Sequence, residues 1–116
     1  MMITTLVLAM ALNMAAMKSD PQDNARKAFN NCLVKEHNDA VEAKKSGSEF
    51  NEQVAAACVE TRKTYFDLIV KAELGFKSKQ ADAIEYANEE IQAVVDSITS
   101  QFGDNASTGA KLQPEQ

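Results

Sequence analysis

Two cysteines constrain this chain more than any other feature of it. Cys32, in the run Asn30-Asn31-Cys32-Leu33, and Cys58, in Ala56-Ala57-Cys58-Val59, lie on two amphipathic stretches separated by a polar break at Lys45-Ser46-Gly47-Ser48. Cys32 stands thirteen residues before Lys45 and Cys58 thirteen after it. If the stretches are antiparallel helices, the two thiols arrive at the same level. Both also fall on the apolar faces that the neighbouring residues define without reference to sulfur. The spacing therefore predicts a disulfide across a helical hairpin, and closing such a loop is worth roughly 3 to 4 kcal/mol in the chain-entropy picture. The alternatives are two reduced core cysteines or a redox-active pair, and the latter needs close spacing and an activated thiolate, which nothing here suggests. A stable disulfide also argues for a compartment outside the reducing cytosol.

The first residues point the same way. Met1 to Met17 carry no charge and are mostly apolar, and the chain turns polar abruptly at Lys18-Ser19-Asp20-Pro21. A bilayer span needs about 20 apolar residues. This run is shorter and is interrupted by Thr4, Thr5 and Asn13, as suits a signal peptide over residues 1–17. It lacks a basic residue ahead of the apolar core, so an uncleaved anchor and a first packed helix are the competing readings. All five methionines lie within this stretch, which leaves the rest of the chain without a methionine-lined copper site.

Beyond the leader, residues 18–102 read as a single helical domain. Asp20-Pro21 is a favourable helix opening, because the carboxylate caps free N–H groups and proline at the first position loses nothing. Ala25, Phe29, Cys32, Leu33, Ala40 and Ala43 gather on one face, with Arg26, Lys27, Asn30, Asn31, Lys35 and Asn38 away from its centre. This first helix should end near Lys45, with Gly47 taking the left-handed closing position and Ser46 or Ser48 capping the next helix ahead of Glu49.

The second helix buries Phe50, Val54, Ala57, Cys58, Thr61, Tyr65, Leu68, Ile69 and Ala72, and carries a further stripe of Val59, Phe66 and Val70. A second stop follows at Gly75-Phe76-Lys77-Ser78, with Ser78 as the expected cap. The third helix then shows Ala81, Ile84, Ala87, Ile91, Val94, Val95, Ile98 and Phe102 on one side. No segment alternates with the two-residue period of a strand. The expected fold is all-α: a three-helix up-down-up bundle with one interhelical disulfide, about 30 Å long at 1.5 Å per residue. Residues 103–116 are small, polar and aperiodic, and read as a disordered tail.

Charge and residue content exclude several functions. The net charge is -5, the wrong sign for binding a phosphate backbone, so nucleic acid is not an expected partner. His37 is the single histidine, at the edge of the first helix's apolar face, and one histidine makes no zinc site once both cysteines are paired. Glu36 falls near the centre line of that face; in the hairpin register it lies opposite Val54 and close to Gln53, where a carboxylate needs a partner or a path to solvent. Neither residue is assigned a catalytic role. No glycine-elbow nucleophile, phosphate loop or Cys-x-x-Cys-His is present. Asn105-Ala106-Ser107 matches a glycosylation acceptor, a pattern too common to carry weight.

The third helix groups Asp82, Glu85, Glu89 and Asp96 within an arc of about 60°. This acidic stripe is the candidate interaction surface, against the plainer reading of a solvated face. The expected protein is a small exported, non-enzymatic interaction or accessory module, periplasmic or secreted. It needs no cofactor, and it has an unidentified protein partner or associates with itself through the second stripe. Membrane attachment follows only if the leader stays uncleaved. The alternative is a small-ligand or metal carrier with an interhelical pocket around Phe29, Tyr65 and Phe66, and a third is a tiny enzyme acting through Glu36 or His37.

Overall fold

The structure is a computed structural model that describes residues 20–116; the expected leader, residues 1–17, lies outside the described residues. Four helices follow one another: α1 (Pro21–Glu42), α2 (Gly47–Ala56), α3 (Val59–Gly75) and α4 (Gln80–Asn105). No strand occurs among the described residues. The all-helical expectation holds, but the second of the three expected helices is two.

That break falls at Ala57 and Cys58. Ala57 is extended, and Cys58 has φ of 60°, in the left-handed region that costs an L-residue roughly 1–2 kcal/mol. Nothing local asks for it: the run Ala55-Ala56-Ala57 favours helix, and neither glycine nor proline is near. The interruption is held from outside. Cys58 is bonded to Cys32 on α1, with the two Cα atoms 6.0 Å apart. Arg62, one turn into α3, donates from Nη2 to the Val54 carbonyl at 2.9 Å, which the Ala57 N–H reaches only at 3.3 Å, and more weakly to the carbonyl of Ala57.

The helix ends show which residues take the special positions. Asp20 caps α1 by accepting from the N–H groups of Gln22 and Asp23. Ser46 caps α2 in a reciprocal capping box with Glu49, whose carboxyl is held below its usual range chiefly by the Ser46 N–H. The left-handed residue that closes α1 is Lys44, not Gly47, which begins α2 instead. Likewise α3 closes through Lys77 at φ 65°, with Gly75 still helical, and Ser78 donates to Glu73 rather than capping α4. A lysine in these positions still lets the last amides reach back, Lys45 to Ala40 and Ser78 to Glu73, which is the hydrogen bond that matters for closure.

The core is one cluster running the length of the bundle. Phe29, Leu33 and Ala40 of α1, Phe50 and Val54 of α2, Tyr65 and Ile69 of α3, and Ala87, Ile98 and Phe102 of α4 are all buried. Phe50 and Phe102 stack at 4.3 Å, and Phe29 meets Tyr65 at 6.4 Å. In the first turns of α4 only Ala83 is buried, while Ala81 and Ile84 of the expected stripe face solvent.

The tail differs most from expectation. Helix α4 runs to Asn105, beyond the expected end at residue 102; the chain then turns back at Gly109 (φ 75°) and lies along α1 in the opposite direction. Residues 103–116 thus acquire fixed partners, which their composition gave no reason to expect.

Candidate interaction surfaces

The tail is held by a repeated device. Asn38 of α1 accepts from the Leu112 N–H at 2.9 Å and donates to the Leu112 carbonyl at 3.0 Å. Asn31, two helical turns earlier, does the same to Glu115, accepting at 2.7 Å and donating at 3.0 Å. Each carboxamide therefore satisfies both backbone groups of one tail residue. At the ends stand two ion pairs. Arg26 grips the Glu115 carboxylate with both terminal nitrogens, at 2.9 and 3.1 Å, and Lys111 reaches Glu42 at 2.6 Å. The Lys111 ammonium holds the Glu42 carboxyl below its usual range, by hydrogen bond first and charge second. Leu112 is the apolar anchor, half-buried against the core.

Behind this strap lies His37, which is 0% exposed rather than at the margin of the face. Its ring stands edge-on to Phe50 and Phe102, at 6.1 and 5.8 Å. Nδ1 lies 2.9 Å from Asn38 Oδ1, and Nε2 lies 3.3 Å from Asn105 Nδ2. Because Asn38 Oδ1 also receives the Leu112 N–H, it is an acceptor, so the network assigns the proton to Nδ1 and leaves Nε2 to accept from Asn105. The imidazole joins the tail-binding Asn38 to the last turn of α4. It has a structural partner on each nitrogen and faces no open space.

Glu36 is partnered as the register implied, since Gln53 donates to its carboxylate and more weakly to its backbone carbonyl. Arg62 sits 5.6 Å over the Phe29 ring, and its buried Nε has no hydrogen-bond partner.

The remaining sequence candidates are spread over the molecule. Phe29 and Tyr65 are closed inside the core, where burial raises the Tyr65 phenol. Phe66 instead lines a shallow groove of about 510 Å³ between α3 and α4, with Val59, Ile91, Arg62 and Gln92. The three aromatic residues do not enclose one pocket. Asp82, Glu85, Glu89 and Asp96 are all exposed along α4. Asp96 accepts from Gln92 at 2.8 Å, and among the described residues the other three enter no ion pair. Tyr86 stands among them, 41% exposed, its phenol raised mainly by the charge of Glu90. Phe76, at the turn between α3 and α4, is 81% exposed. Among the described residues, no group of three His, Cys, Asp or Glu side chains is placed to hold a metal ion, and no helix is long and apolar enough to cross a membrane.

Sequence reasoning missed Arg26, Asn31 and Asn38, which it placed only as the polar side of the first helix. A signal was present: two asparagines seven residues apart share a helix face, and Pro114 favours an extended tail. Comparison with protein-family models, curated proteins and solved structures finds no match to this chain.

Proposed function

We propose that this is a small exported protein-interaction module, working in the periplasm or outside the cell, that offers the acidic face of α4 to a basic partner. One observation carries the reading: Asp82, Glu85 and Glu89 are exposed and unneutralised by any described residue, with Tyr86 exposed among them. Complementary charge speeds encounter and orients a partner, while an exposed aromatic supplies contact area at low entropic cost. The Cys32–Cys58 bond fits an oxidising compartment.

The test places a photo-cross-linking amino acid at Tyr86 in the native cells. A single protein partner is expected, and Asp82→Asn/Glu85→Gln/Glu89→Gln should reduce its capture at least tenfold. Unchanged capture by the neutralised chain would retire the acidic face as the binding surface. Of the three aromatic residues expected to line a carrier pocket, only Phe66 borders a groove, since Phe29 and Tyr65 are enclosed in the core.

A further inference from the structure

The strap over α1 has the chemistry of peptide recognition. Asn31 and Asn38 bind only backbone atoms of the tail, and each binds the N–H and the carbonyl of the same residue. Such pairing reads an extended chain irrespective of its side chains, as the edge of a sheet does. The spacings agree: seven residues of α-helix rise about 10.5 Å, and three residues of polyproline II chain advance about 9 Å. Pro114 suits that conformation, fixing its own φ and biasing Gln113 away from the helical region, and neither residue is needed as a donor. Side chains then add selectivity at three points: Glu42 takes a cation at the start, the core edge takes an apolar residue next to it, and Arg26 takes a carboxylate three residues further on.

The occupant is lightly held. Its hydrogen bonds and ion pairs are largely exposed, and exposed ion pairs contribute about 0–1 kcal/mol each. Leu112 alone adds apolar burial. Such a segment opens locally without unfolding the bundle.

We infer that the Asn31–Asn38 face of α1 is a docking site for an extended peptide of a partner protein, of the pattern basic–apolar–x–x–acidic, which the chain's own Lys111–Glu115 fills until it is displaced. This stands apart from the acidic face of α4. The short turn keeps the tail at a high effective concentration, so a partner binds only by outcompeting it.

The experiment uses the full chain and a labelled peptide of residues 110–116, Ala-Lys-Leu-Gln-Pro-Glu-Gln. Leu112→Pro/Glu115→Pro removes both tail N–H donors, and this variant should bind the added peptide at least tenfold more tightly than the unaltered chain. Adding Asn31→Ala/Asn38→Ala should abolish the gain. Arg26→Glu should reverse the charge preference, so that a peptide with lysine in place of its glutamate binds better than the original. Neutralising α4 should leave peptide affinity unchanged, which separates this site from the acidic face. Folding of each variant is checked by circular dichroism and an intact disulfide. A folded tail-disabled variant that binds no more tightly than the unaltered chain would overturn the inference, as would binding indifferent to Asn31 and Asn38. So would an unaltered chain that forms a dimer dissolved by Asn38→Ala, because the occupant would then be a second copy's tail.

Discussion

Cys58 does two things that oppose each other when read locally. It ties α3 to α1 through sulfur, and it holds a backbone conformation that suits glycine. The two can be separated by comparing Cys32→Ser/Cys58→Gly with Cys32→Ser/Cys58→Ala in urea denaturation. The glycine variant should be the more stable by about 1 kcal/mol, since alanine keeps the left-handed penalty. An uninterrupted second helix would give the reverse order, alanine ahead by roughly 0.5–1 kcal/mol. Because both variants lack the link to Cys32, the order of stabilities shows whether Arg62 alone keeps the break once the disulfide is gone. His37 makes the related point that a residue at the margin of a helical face becomes fully buried when a third element, here the end of α4, closes over it.

At the scale of elements, the tail meets α1 through two ion pairs with exposed partners, Arg26–Glu115 and Lys111–Glu42. Glu42 has its carboxyl lowered from the ordinary 4.5 by Lys111. A carboxyl depressed by folding stabilises above its unfolded pKa, and that contribution disappears as pH falls through the folded value. The contribution of the Lys111–Glu42 pair to docking should therefore be fully present at neutral pH and be lost as pH falls below about 4.5, while the Asn38–Leu112 hydrogen bonds and α1 to α4 persist. Amide hydrogen exchange checks this: Leu112 N–H should lose part of its protection in acid, whereas core amides such as that of Ile98 keep theirs. Exchange at Leu112 that tracks Ile98 through the titration would show the tail to be part of the global unfolding unit. Added salt should weaken the docking in the same way, as screening acts on exposed pairs.

For the whole molecule, the disulfide closes a separation of 26 residues between α1 and the start of α3. Its loss should cost about 3 to 4 kcal/mol, a large part of the stability of a domain this small. Reduction should lower the urea midpoint by at least about 1 M at the slope usual for small proteins. A midpoint unmoved by reduction would mean that the bundle already holds the two helices together. The bond also pins the level at which α3 leaves α2. This keeps Arg62 over Phe29 and within hydrogen-bond reach of the Val54 carbonyl of α2.

Much of this arrangement follows from residue order alone. The 3.6-residue spacing of Ala25, Phe29 and Leu33, the caps Asp20 and Ser46, the helical class and the pairing of Cys32 with Cys58 all rest on local geometry or on equal distance from one turn. Glu36 meeting Gln53 follows from the same register. Tertiary structure alone decided the rest. Alanine-rich sequence favours continuing the helix through Ala57, and only the link to Cys32 and the donors of Arg62 make stopping there tolerable. The tail has no periodic pattern of its own, because its partners are the carboxamides of Asn31 and Asn38, 84 and 74 residues away in sequence. Contacts between backbone and distant side chains leave no local period to read, and the peptide-binding face of α1 is built from such contacts.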